Sequence, residues 1–109
     1  MEKLKLNKEF RRVYGRGMCF AGQYIVCYIM PCRSEEIRFG ITVSKKIGCA
    51  VKRNRAKRVI TAAFRECIGN IKPGCDVVFV ARSRILMAKS YNVKAAMQES
   101  FMNAGFWQE

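Results

Sequence analysis

The chain has 109 residues, half of them hydrophobic, and carries 21 Lys and Arg against 8 Asp and Glu, for a formal charge of +13. That length holds one core but not two, the apolar content excludes a disordered chain, and the charge calls for an anionic partner. No apolar run approaches the roughly 20 residues of a membrane span, and MEKLKLNKEF has no apolar signal segment behind its charges, so a soluble cytoplasmic protein is expected.

Lys8 to Tyr14 reads as a short helix capped by Asn7, with Phe10, Val13 and Tyr14 on one partly aromatic face. Lys8, Arg11 and Arg12 flank that face, and Gly15 and Gly17 end the helix. A pairing segment around Met18 to Phe20 precedes a strand from Gln23 to Met30. There Tyr24, Val26 and Tyr28 alternate with Ile25, Cys27 and Ile29. Pro31 to Glu36 forms a polar turn. Ile37 to Ser44 is a second strand, with Ile37, Phe39, Ile41 and Val43 on its apolar side and Arg38, Gly40, Thr42 and Ser44 on the other.

A long helix is expected from Ala50 to Ile68, seated on a sheet through Ala56, Val59, Ile60, Ala63, Phe64, Cys67 and Ile68. Pro73 and Gly74 redirect the chain into Val77 to Ala81, a continuous apolar run that suits an interior strand. A last helix spans Tyr91 to Asn103, capped by Ser90, with Val93, Met97 and Phe101 facing inward. Six cysteines are scattered without a C-x-x-C pair, and the chain lacks histidine. That spacing suits reduced thiols used as small hydrophobes better than a zinc module or a secreted disulfide scaffold.

Seven of the fourteen residues from Lys45 to Arg58 are basic and none is acidic. Cations at a helix N-terminus oppose the positive end of the macrodipole, so their repetition points to a bound anion rather than a solvated face. Guanidinium forks and ammonium groups this dense suit a phosphate backbone. A DNA-binding reading is weaker, because neither zipper heptads nor a helix-turn-helix pattern accompanies the helix.

The segment FGITVSKKIGCAVKRNRAKRVI (Phe39 to Ile60) resembles the signature region of the bacterial ribonuclease P protein subunit family. Its mark is Arg53-Asn54-Arg55 at a helix start, with Ala50 before it and Lys57-Arg58 after it. NKEFRRVYGRG resembles that family's first helix, so the likeness spans essentially the whole chain. Two positions depart from it: Ala56 stands where a larger aliphatic is usual, and Thr61 where a basic residue is common.

The resemblance implies an α/β sandwich of order αβββαβα, with a mostly antiparallel central sheet and a left-handed βαβ crossover, similar to a domain of a small-subunit ribosomal protein. It also implies removal of the 5′ leader from precursor tRNA by a catalytic RNA, with one protein subunit per RNA. Lys45, Lys46, Arg53, Asn54, Arg55, Lys57 and Arg58 would contact that RNA. Phe10, Tyr14, Val26, Tyr28, Thr42, Ser44 and Lys46 would form a cleft for the single-stranded leader. Mg²⁺ would be held mainly by RNA phosphates. The protein itself offers no histidine and no evident carboxylate cluster, so no catalytic residue is expected in it. Composition alone fits a non-enzymatic RNA-binding or ribosomal-type protein equally well; the ordered combination of Phe10-x-x-x-Tyr14, SKKIG and Arg-Asn-Arg separates the two.

Overall fold

The computed structural model describes residues 2–109. The chain begins with β1 (Glu2–Lys3), α1 (Asn7–Arg16), β2 (Met18–Ala21), β3 (Ile25–Pro31) and β4 (Ile37–Thr42). A 3-10 turn, η1 (Lys45–Ile47), leads into α2 (Ala50–Cys67), which tightens into η2 (Ile68–Asn70). The chain continues with β5 (Cys75–Ala81), a second connecting turn η3 (Ser83–Met87), and α3 (Ser90–Ala104). The sheet order is β1-β4-β5-β3-β2. Among the four longer strands, β2–β3 and β3–β5 are antiparallel and β4–β5 is parallel, joined through α2. The two-residue β1, too short to show a period, adds a parallel edge pairing to β4.

Alternation decides what each face buries. Ile25, Cys27 and Ile29 stand beside Ala81, Phe79 and Val77, while Phe39 and Ile41 flank Val77 and Phe79 from the other side. On this face α2 seats Ala56, Ile60, Ala63, Phe64 and Cys67, and α3 seats Val93, Met97 and Phe101. Phe64 packs between Phe39 and Phe79 at ring distances of 4.9 and 5.2 Å. Burying such side chains contributes roughly 1.5–3 kcal/mol each, so this layer dominates stability. Ala56 belongs to it, its methyl group closed off between helix and sheet.

The opposite face holds a smaller core of Leu4, Val13, Met30 and Val78, with Phe10, Tyr28 and Val80 at its margin. Among the described helices α1, ten residues long, covers that face, with Leu4 added from the segment before it. At one end of it, Arg38 fastens helix to sheet. Its guanidinium donates to Asp76 through Nε at 2.9 Å and Nη2 at 2.7 Å, and to Glu9 through Nη1 at 2.8 Å. Asp76 is buried, so this fork is what makes a carboxylate tolerable within the sheet.

Both expected helix caps differ. The residues before the first turns are Leu6 and Lys89, and Asn7 and Ser90 are already helical. An acceptor inside the first turn folds back instead of a cap hydroxyl reaching forward. Glu9 accepts from the N–H groups of Lys5 and Leu6 at 3.1 and 2.9 Å, and Asn92 accepts from that of Lys89 at 3.0 Å. The bond from Leu6 and then that from Lys5 hold the Glu9 carboxyl below its ordinary range. All six cysteines are free thiols, with Cys27, Cys67 and Cys75 buried as apolar filler. No helix among the described residues is long and apolar enough to cross a membrane.

Arg38→Ala leaves Asp76 buried without a counter-charge. Urea unfolding should register a loss of about 2–3 kcal/mol, below the usual ~3–5 for fully buried pairs because 28% of the Arg38 side chain remains exposed. An R38M/D76L double variant, with no charge left unpaired, should recover most of that loss.

Candidate nucleic-acid interface

Helical spacing sorts the basic helix into two roles. Ala56 and Ile60 point into the core, which leaves Asn54, Arg55, Lys57 and Arg58 exposed. Val51, itself 74% exposed, lies among them and shares a shallow surface with Asn54, Lys57 and Arg58. No acid offsets the charge in the first turn of α2. Arg53 is half-buried, and its Nε is shut away from solvent without a hydrogen-bond partner. An unsatisfied buried donor costs roughly 1–3 kcal/mol, so this group as it stands adds nothing to stability.

Just upstream, Ile47 anchors η1 in the core while Lys45 and Lys46 project into solvent. Gly48 then turns the chain into α2 with φ near +137°, a conformation that favours glycine. Cys49 precedes the first helical turn, and the backbone N–H of Lys52, with a smaller contribution from that of Val51, lowers its thiol below the ordinary range.

The aromatic side of the site is built on α1. Phe10 packs against Gly40, where an added Cβ would stand 2.5 Å from two of its ring carbons. The glycine on the polar side of β4 is therefore the seat of the ring. One turn later, the Tyr14 hydroxyl bonds the Thr42 hydroxyl at 2.7 Å, and its ring meets Tyr28 edge-on at 5.0 Å. Strand register carries Thr42, Val80 and Val26 across β4, β5 and β3 in one half-buried row that α1 leaves open.

Beside α1, where β1 no longer covers the edge of β4, runs a groove of about 660 Å³. Its walls are Asn7, Phe10, Arg11 and Tyr14 from the helix, Ile41, Thr42 and Val43 from the strand, and Lys57 from α2. A smaller hollow of about 280 Å³ shares Phe10, Ile41 and Lys57 with the groove and is bounded also by Gly40 and Thr61. Lys57 thus joins the basic helix to the aromatic groove, two surfaces that the sequence presents separately.

Of the expected cleft residues, Phe10, Tyr14 and Thr42 line the groove together. Tyr28 and Val26 lie on the same sheet face beyond Tyr14. Ser44 and Lys46 are not brought into it. β4 ends at Thr42, so the alternation stops, and both residues are exposed where the chain enters η1. Sequence reasoning missed Arg11, Val80 and the double placement of Lys57. Arg11 was legible as the cation flanking the aromatic face of α1. Val80 was not, because an all-apolar strand does not announce which of its faces stays open.

A family model for Ribonuclease P matches residues 1–105 of this sequence. The chain belongs to the ribonuclease P protein family. It is 40% identical over 109 residues to the ribonuclease P protein component of Caldanaerobacter subterraneus subsp. tengcongensis, covering all of this chain and 94% of that one. Identity to the Clostridioides difficile component is 50% over 80 residues, covering 72% of this chain and 70% of its relative. Among solved structures, the RNase P protein from Thermotoga maritima superposes with a TM-score of 0.82 at 25% identity, covering 94% of this chain and 97% of that one. The Staphylococcus aureus RNase P protein superposes with a TM-score of 0.79 at 29% identity, with 94% of each chain covered. This mixed α/β sandwich is thus the fold of bacterial RNase P proteins.

Burial raises the Cys27 and Cys75 thiols to about 12 and that of Cys67 to about 11, whereas backbone N–H groups lower Cys49. Iodoacetamide at neutral pH should therefore alkylate Cys49 at least about tenfold faster than those three. Peptide mass mapping over a time course reads the order.

Proposed function

We propose that this chain is the protein subunit of a ribonuclease P, in which an RNA partner removes the 5′ leader from precursor tRNA. The observation that carries the reading is the continuity of the Arg53–Arg58 cations with the Phe10–Tyr14–Thr42 groove through Lys57, in a member of this family.

The two surfaces divide the work. Exposed Arg55, Lys57 and Arg58, with half-buried Arg53 and with Lys45 and Lys46 on η1, neutralise phosphates of the catalytic RNA and offset RNA–RNA repulsion, and the Asn54 amide adds a hydrogen-bond donor. On the other side of Lys57, the leader enters the groove beside α1. Stacking on an aromatic face contributes about 1–3 kcal/mol per base with little sequence preference, which suits unrelated leaders. Tyr14 is held for this by the Thr42 hydroxyl and by Tyr28.

The protein supplies no bond-breaking group. It has no histidine, and among the described residues no three Cys, Asp or Glu side chains gather to hold a metal. In this reading the Mg²⁺ required for hydrolysis is assigned to RNA phosphates. The contribution of the polypeptide is charge, shape and a grip on the precursor that the product lacks. One subunit per RNA is part of this reading.

Tyr14→Ala combined with Tyr28→Ala should weaken precursor tRNA binding by the reconstituted holoenzyme about tenfold or more and leave mature tRNA binding nearly unchanged. Equal loss on both would remove the leader groove from the reading. Arg53→Ala or Lys57→Ala should lower the slope of log affinity for catalytic RNA against log salt by about one. Precursor cleavage by the purified subunit without RNA would overturn the division of labour.

A further inference from the structure

Folding creates a second concentration of positive charge that α2 does not account for. No acidic residue occurs from Ile37 to Arg65 or from Val77 to Gln98. Because β4 and β5 are parallel, the segments that leave them emerge at the same end of the sheet. η1 continues from β4, η3 continues from β5, and the two turns pack against each other. Ile47, Ile85 and Ala88 anchor them in the main core, while Arg84, Met87 and Lys89 are exposed beside Lys45 and Lys46.

This second patch is fixed in place. The Arg82 backbone N–H donates to the Tyr24 carbonyl at 2.9 Å, and its guanidinium Nη1 donates to the Gly22 carbonyl at 2.8 Å, tying the start of η3 to the β2–β3 turn. Lys94, further along α3, is paired with Glu66 at 3.7 Å. Neither Arg84 nor Lys89 forms an ion pair among the described residues. Next to them folding leaves two large apolar side chains in water, Met87 at 83% and Tyr91 at 65% exposure. An exposed ring two residues after Lys89 adds a stacking platform to this cationic patch, the combination that a surface for single-stranded nucleic acid uses.

We infer that Arg84, Lys89 and Tyr91 form a second contact with the catalytic RNA, continuous with Lys45 and Lys46. The two cations hold phosphates, and the Tyr91 ring takes an unpaired base. The inference rests on the proposed ribonuclease P function and extends the footprint of the RNA from α2 across η1 to the start of α3. The partner is the catalytic RNA rather than the leader because α3 packs on the sheet face opposite α1 and its groove.

The test measures binding of the full chain to its catalytic RNA, without substrate, over a range of salt. R84A/K89A should make the log–log slope shallower by about two and weaken binding about tenfold or more at physiological salt. Arg33→Ala, at an exposed cation that shares a hollow with Arg12 and Arg38 at the other end of the sheet, should change the slope little. Tyr91→Ala should weaken binding about tenfold, and Tyr91→Phe should retain it. All these positions are exposed, and circular dichroism confirms that each variant is folded. If R84A/K89A behaves like Arg33→Ala while Arg53→Ala still lowers the slope, the second contact is wrong and the function stands. If Arg53→Ala is also silent, the underlying function fails instead. A loss on Tyr91→Phe equal to that on Tyr91→Ala would overturn the stacking role. A change in the precursor-to-mature binding ratio with R84A/K89A would overturn the assignment to catalytic RNA.

Discussion

The parallel ladder between β4 and β5 is the constraint on which the charge distribution depends. Its register pairs Ile37 with Cys75 and Thr42 with Val80, so the two strands start together and end together. A parallel pair requires a long crossover, and α2 supplies it. The crossover leaves β4 at the end where η1 and the first basic turn of α2 stand, and β5 returns the chain to that same end at η3. Lys45, Lys46, Lys52, Arg53, Arg82, Arg84 and Lys89 thereby come from two separate stretches of sequence to one end of the sheet. Asp76, Glu35 and Glu36 belong to the other end, near the starts of β4 and β5. Local repulsion among the cations is sustained by the large apolar layer beneath them, where Phe64, Phe79 and Phe101 interlock.

The second face works by being incompletely covered. A ten-residue helix cannot close a five-stranded sheet, and its inward anchors are few: Val13, with Phe10 at the margin. Placement of α1 therefore relies on specific contacts more than on apolar area. Phe10 requires the bare backbone of Gly40, and Glu9 is bound by the guanidinium that also satisfies Asp76. Tyr14 is fixed by Thr42 and Tyr28. What α1 leaves uncovered is the row of Thr42, Val80 and Val26 together with the groove along the free edge of β4. Aromatic walls, Arg11, Lys57 and an open strand edge shape this groove, and the proposed function gives it an extended chain to hold without reading its sequence.

Local pattern was enough to find the strands expected at Gln23 to Met30 and Ile37 to Ser44, which run from Ile25 to Pro31 and Ile37 to Thr42, along with the core face of α2, the basic character of its first turns and the aromatic face of α1. Each rests on short-range periodicity, and alternation or a 3.6-residue repeat survives any tertiary arrangement. The caps were not legible, because Glu9 and Asn92 fold back from inside the first turn rather than a cap side chain reaching forward. The end of alternation at Thr42 was not legible either, since Ser44 continues the polar pattern of β4 after the strand has stopped. Strand pairing across dozens of residues determined the rest: the Arg38–Asp76 fork, the seat of Phe10 on Gly40, and Lys57 as the bridge between the helix and the groove. The amino-acid order thus settled which side chains are apolar, aromatic or charged, and on which local face. Which of those faces meet was decided only by register and crossover, because contacts distant in the chain are set by the packing of whole elements.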